Sequence, residues 1–184
     1  MRKIFVSNIV SVDGYFEDAG KGISWFALDE EFFAYSRDMI TSVDLILFGR
    51  VTYDVMVAFW PNAQSEDPVV TERMNNLPKI VFSRALPAAD WNNTTLLREI
   101  DAEEIIKLKR QPGKDIVILG SGQIVSALAQ LGLIDEYVLI VIPVILGSGT
   151  PLFKGVHDRI NLQLAQTKIL SSGTAILHYR PVTK

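Results

Sequence analysis

The sequence predicts an α/β domain with a mostly parallel central sheet, helices on both faces and a C-terminal antiparallel hairpin. Three observations predict it. Short apolar runs rich in β-branched residues alternate with amphipathic stretches as far as Leu131, the pattern of strand-helix-strand units whose strands are buried on both faces. Two of these runs, residues 44–48 and 116–119, pass directly into glycine turns that open helices, Gly49-Arg50-Val51-Thr52-Tyr53 and Gly120-Ser121-Gly122-Gln123. Beyond Leu131 the alternation stops, and two runs flanking Ser172-Gly173 read as a hairpin.

Taken in order, residues 2–10 form the first strand, and Ser11-Val12-Asp13-Gly14 begins a loop that runs to about residue 27. Residues 28–40 place acids first and then Phe32, Phe33, Met39 and Ile40 at helical spacing, with Asp29 as N-cap. The second strand, 45–48, leads into a helix over 50–59 that stops before Trp60-Pro61, because proline disfavours helical geometry in the residue ahead of it. A polar surface loop over 62–68 and a short helix over 69–76 follow. Residues 79–83 make the third strand and 94–97 a short one, and a helix over 102–110 is capped by Asp101. After the strand over 115–119, residues 121–131 form a helix whose Ile124, Leu128 and Leu131 share one face and which Gly132 closes. A long strand over 136–144 and a glycine-rich loop over 145–152 precede the hairpin, residues 161–171 and 174–180. Right-handed crossovers are expected between the parallel strands. With no repeat and no linker, residues 1–184 read as a single domain.

Composition narrows the function. The 184 residues are 48% hydrophobic and 21% charged, the profile of a globular protein. A net charge of −3 argues against an extended nucleic-acid surface, which needs a surplus of Lys and Arg on one face. Cysteine is absent, which removes disulfides, thiolate catalysis and cysteine-ligated zinc. His157 and His178 stand apart from any second histidine, so no metal site is expected. The start of the chain turns polar at Ser7 and Asn8 before a signal-peptide core develops, and no apolar run approaches the ~18 residues of a spanning helix. A cytoplasmic location and no membrane partner are the expectation.

In an open α/β sheet, ligands lie outside the carboxyl ends of the strands. Those ends deliver Ser11 with Asp13, Gly49 with Arg50, Ser83 with Arg84, and Gly120 through Gln123. A helix start offers unpaired N–H groups and the positive end of the helix dipole, and glycine lets an oxygen approach the main chain closely. Two such starts with two arginines suit a dinucleotide carrying a 2′-phosphate. The spacing is not Gly-x-Gly-x-x-Gly with an acid about 20 residues on, so the ordinary Rossmann signature is missing. Plainer readings stand beside these. Arg50 could form a helix-surface ion pair and Arg84 a solvated strand end. First-turn acids complement the dipole, and Asp13-Gly14 makes an ordinary turn. Trp25, Phe26, Phe33 and Tyr53 face either a ligand or the core.

Seven segments then fall in order along nearly the whole chain: Ser11-Val12-Asp13-Gly14, Trp25 with Asp29-Glu30-Glu31, Gly49 to Tyr53, Lys79 to Arg84, Gly120 to Gln123, Leu133 to Glu136, and Pro143 to Phe153. On these segments the sequence resembles the dihydrofolate reductase superfamily. Within it, the chain is most similar to stand-alone proteins like the reductase domain of the bifunctional riboflavin-biosynthesis deaminase-reductase. The deaminase signature, His-x-Glu with Pro-Cys-x-x-Cys, is absent.

The resemblance implies an NADPH-dependent reductase of a small heterocycle, in its sharpest form 5-amino-6-(5-phosphoribosylamino)uracil. The alternatives are a dihydrofolate or pteridine reductase and a non-catalytic NADPH-binding module. By the same resemblance Gly49, Arg50 and Thr52 hold cofactor phosphates, and Ser83 and Arg84 the 2′-phosphate. Gly120, Ser121, Gly122, Gln123 and Ile124 face the pyrophosphate, and Ile9 lies beside the nicotinamide. Glu31 is the implied proton donor, with Asp29 second and Asp13 binding substrate from its loop. Trp25, Tyr53, Gly147 and Gly149 border the substrate, Lys154 helps with a ribosyl phosphate, and the chain forms a homodimer.

Overall fold

Strand β1 (Ile4–Ser11) is the axis of the sheet in the computed structural model, which describes residues 1–63 and 67–182. The chain continues through β2 (Tyr15–Glu17), α1 (Glu30–Ser42), β3 (Val43–Gly49), α2 (Arg50–Phe59), a 3-10 turn (Trp60–Asn62), α3 (Pro68–Asn76), β4 (Lys79–Phe82) and β5 (Thr94–Leu97). It ends with α4 (Ala102–Arg110), β6 (Asp115–Leu119), α5 (Gly122–Gln130), β7 (Glu136–Ile142), β8 (Thr150–Pro151), β9 (Leu162–Ile169) and β10 (Ala175–Pro181). The main sheet has the order β5-β4-β3-β6-β1-β7-β10-β9. The first six strands are parallel, and β10 and β9 close the edge antiparallel.

Because side chains alternate along a strand, the central strands feed two cores, one on each face of the sheet. On one face Ile4, Val6, Leu47, Ile116 and Ile118 pack with Ile105 of α4 and with Ile124, Val125 and Leu128 of α5. On the other, Val43, Ile46, Phe48 and Val117 pack with Ile40 of α1, Tyr53 of α2 and Met74 of α3. Three helix starts are capped by aspartates: Asp29 accepts from the Phe32 N–H at 2.7 Å, Asp67 from Val69 and Val70, and Asp101 from Glu103 and Glu104. The starts of α2 and α5 have no side-chain cap.

The structure departs from expectation in a few places. Both expected loops, after β1 and over 145–152, contain a short strand, and β2 and β8 pair antiparallel as a ribbon. Leu131 is 48% exposed, and Val125 and Ala129 complete the buried face of α5 in its place. Strand β7 stops at Ile142, ahead of Pro143, which has no N–H for a ladder. Of the loop expected over 62–68, residues 64–66 lie outside the described residues. Among the described residues no helix is long and apolar enough to cross a membrane.

Candidate active site at the carboxyl edge of the sheet

Strands β3 and β6 are neighbours, so their glycine turns lie side by side, and one serine fastens them. Ser121 Oγ accepts the Gly49 N–H at 2.8 Å and donates to the Leu119 carbonyl at 3.2 Å, while the Ser121 N–H donates to Thr52 Oγ1 at 2.9 Å. This needs two successive left-handed residues, Gly120 and Ser121, both at φ +59°. A Cβ on Gly120 would stand 2.9 Å from Thr52 Cγ2, so glycine is what lets the turn close on α2. Ser121 occupies the N-cap position of α5 but spends its hydroxyl on the neighbouring turn, and the N-cap of α2 is Gly49, which has no side chain to offer, so neither helix start has a side-chain cap. Two positive dipole ends therefore open on one edge. Gln123 is exposed there, whereas Ile124 is buried in the core, where a Cβ on Gly49 would meet it at 3.2 Å.

Gly49 is in register with Phe82, which brings the end of β4 alongside. Arg50 is exposed and pairs with Asp54 one turn on, at 2.9 Å. The Arg84 side chain is 82% exposed, with Glu99 at 3.7 Å. Ser83 is buried, and its hydroxyl oxygen accepts from the Ala85 and Leu86 N–H groups, closing a turn. Arg98, which sequence reasoning missed, pins that turn by donating to the carbonyls of Ser83, Leu86 and Pro87. Its partners are 11 to 15 residues away, so no local pattern marks it. Beside the turn, Phe82, Leu97 and Arg98 line a cavity of about 200 Å³.

The three candidate acids fall into two groups. Asp13 accepts from the Ser11 hydroxyl at 2.7 Å and from the Leu146 and Gly147 N–H groups at 3.1 and 2.8 Å. These bonds, Ser11 foremost, hold its carboxyl below the usual range. Around it the two loops become one piece: Gly149 lies so close to β2 that a Cβ would sit 2.2 Å from the Glu17 carbonyl oxygen, and Lys21 bridges Glu17 and Thr150. Asp29 and Glu31, at the start of α1, face the tip of the β9–β10 hairpin instead. Glu31 accepts the Ser171 N–H at 2.5 Å, and that bond holds it below the usual range. Asp29 is lowered first by the Phe32 N–H and then by Ser172. A general acid must be protonated at the working pH. All three carboxylates are arranged to stay ionised.

Trp25 is half-buried, edge-on to Phe26 with ring centroids 4.6 Å apart. Tyr53 belongs to the core: it is 3% exposed, lies against Trp91, and its hydroxyl oxygen accepts the Trp91 N–H at 3.1 Å. Ile9 is half-buried and, like Phe32 and Tyr35, packs against the cluster of Val138, Ile140, Leu170 and Ile176. The Lys154 carbonyl accepts from the Ser126 hydroxyl. Among the described residues no three His, Asp or Glu side chains group as metal ligands.

The family model of the RibD C-terminal domain matches residues 2–176. The chain belongs to the RibD C-terminal domain family. It is 34% identical to the uncharacterized protein YyaP of Bacillus subtilis, over 97% of this chain and 94% of that one. A protein of Shewanella sp. PV-4 ascribed to riboflavin biosynthesis superposes on this RibD C-terminal domain with a TM-score of 0.76 at 19% identity, covering 98% and 99% of the two chains. The Thermotoga maritima diaminohydroxyphosphoribosylaminopyrimidine deaminase/5-amino-6-(5-phosphoribosylamino)uracil reductase superposes with a TM-score of 0.70 at 14% identity, over 98% of this chain and 57% of that one. These structural likenesses establish the dihydrofolate-reductase-like fold.

Proposed function

We propose that this RibD C-terminal domain is an NADPH-dependent reductase of a small heterocyclic substrate, in its sharpest form 5-amino-6-(5-phosphoribosylamino)uracil. The observation that carries the reading is the Ser121 clasp, which sets two uncapped helix starts side by side at the carboxyl edge of the sheet. Those starts suit the phosphates of a dinucleotide. Gly49, Arg50 and Thr52 would hold one part of them, and Gly120, Ser121, Gly122 and Gln123 the other. Arg84, exposed and at 3.7 Å from Glu99, is a cation available to a 2′-phosphate. When bound, NADPH supplies the hydride. The chain itself orients the substrate with the joined loops around Asp13, Gly147 and Gly149, with Trp25 offering an aromatic face. The reductase named in the Thermotoga protein supports the choice of substrate class.

The test is a titration of nicotinamide fluorescence with NADPH and NADH. The wild-type chain prefers NADPH, and Arg84→Ala loses that preference by about tenfold or more, the worth of a charge-assisted contact. Equal affinity for both coenzymes in the wild type defeats the assignment. Oxidation of NADPH with the uracil substrate but not with dihydrofolate selects the sharper form.

One observation favours a second reading, a module that binds NADPH without turnover: each candidate acid is committed to backbone N–H groups. Turnover separates the two, and Asp13→Asn, Asp29→Asn and Glu31→Gln test the acids. Reduction that survives all three removes the acids from the mechanism, and binding without reduction of either substrate establishes the module.

A further inference from the structure

Strand β1 buries an amide that the fold does not use. Asn8 is 3% exposed, and its Oδ1 is closed to solvent with no hydrogen-bond partner among the described residues. Ile4, Val6 and Val10, which share its face of the strand, belong to the apolar cluster that holds α5, so an apolar residue would suit the position. A buried acceptor left unpaired destabilises a fold, and in a native chain it calls for a reason. Its place in the sheet supplies one. Strand β6 pairs with β1 only as far as Leu119, opposite Ser7, and then leaves through Gly120 for α5, while β7 stays beside β1 as far as Ser11. From Asn8 onward β1 therefore borders a gap, with the Gly120 turn and the uncapped start of α5 on its far side. The loops joined at Asp13 rise from the end of the same strand.

We propose that Asn8 binds the nicotinamide half of NADPH, its side-chain oxygen accepting a hydrogen bond from the carboxamide or from a ribose hydroxyl. The inference rests on the reductase reading and deepens it by adding a residue that recognises one half of the coenzyme. Chemistry selects the half. A carbonyl oxygen only accepts, and ionised phosphate oxygens have no hydrogen to give it. The end of β4, where Arg84 is assigned to the 2′-phosphate, is three strands from β1, roughly 14 Å at ordinary strand spacing and beyond the reach of an asparagine. Between the phosphates at the helix starts and the substrate at the joined loops, the donors that remain are the carboxamide and the ribose hydroxyls. No hydrogen bond fixes Oδ1, and the amide torsion of asparagine is broad, so the amide is free to turn toward such a donor.

Titrations of wild type and Asn8→Leu test it, with NADPH followed by fluorescence and adenosine 2′,5′-bisphosphate, which lacks the nicotinamide half, by calorimetry. Asn8→Leu binds NADPH more weakly by about tenfold or more, and binds the bisphosphate within about twofold of wild type. Its urea midpoint without ligand is unchanged or higher, because the orphaned acceptor is gone; a purely structural residue would lower the midpoint and leave the affinities alone. The 3-acetylpyridine analogue of NADP+, which lacks the carboxamide N–H, separates the two donors. If wild type binds it more weakly than NADP+ and Asn8→Leu does not, the donor is the carboxamide; if both respond equally, it is the ribose. An NADPH affinity unchanged in Asn8→Leu overturns the proposal and leaves the reductase reading standing. So does a loss shared equally by the bisphosphate, the mark of a damaged edge. Should the leucine variant fail to fold, Asn8→Ala carries the same comparison. A wild-type chain that binds neither compound removes the reductase reading, and this assignment with it.

Discussion

Ser121 decides more about the site than any other residue, because one hydroxyl and one N–H tie two turns that are about 70 residues apart in sequence. Replacing it with alanine removes the side-chain partner of the half-buried Gly49 N–H. Ser121→Ala is expected to lose about 1–2 kcal/mol in urea unfolding and to speed hydrogen exchange at Gly49; an unchanged midpoint would show that the clasp contributes nothing. The glycines around it were legible from sequence as turn residues. The direction of the serine was not, since a serine ahead of a helix ordinarily caps that helix. Asp13 teaches the same lesson. Its place in a turn was readable, but its bonds to Leu146 and Gly147 cross more than 130 residues.

Elements with local signals were read well. The caps Asp29 and Asp101 and the strand-to-turn junctions at Gly49 and Gly120 all lie within a few residues of what they organise. The ribbon of β2 and β8 was missed because two- and three-residue strands exist only by pairing with each other. Lys79 is a further case, a buried lysine inside β4 that joins elements no local pattern connects. Its Nζ donates to the Asn75, Leu77 and Asn92 carbonyls and lies 4.4 Å from the Trp91 ring centroid, tying the end of α3 to the β4–β5 connection. Lys79→Met should cost about 1–3 kcal/mol at pH 7 by stranding those carbonyls. Burial pushes the lysine down to about 8, below its ordinary 10.5. Between those values the folded chain binds fewer protons than the unfolded one, so wild-type stability rises with pH above 8. Tyr35 and Tyr137, raised to about 12 by burial, oppose the trend only above pH 10. Urea midpoints from pH 8 to 9.5 check this; an equal rise in Lys79→Met would assign the effect to other groups.

Over the whole molecule, acid is the exposed weakness. Asp13, Asp29, Glu31 and Asp67 are lowered by hydrogen bonds, and Glu136 is lowered by His178 and Arg180 in spite of its burial. A lowered carboxyl stabilises the fold fully above its ordinary value, 3.8 or 4.5 here, and the stabilisation is lost as pH falls through the folded value. The urea midpoint should hold near pH 5 and drop below about pH 4, less steeply in Asp13→Asn with Glu31→Gln. An identical slope in that double variant would clear those two sites. The joined loops and the hairpin tip come apart first on this account, because their contacts are the ones the acids make. By itself the sequence determined the fold class, which apolar runs become buried strands and the positions of the glycine turns, since apolar periodicity and cap chemistry act over one or two helical turns. Tertiary structure alone decided that Ser121 faces its neighbour, that the acids are spent on distant N–H groups and that the Asn8 oxygen is buried without a partner among the described residues. Each of those outcomes depends on register between segments that meet only when the sheet is complete.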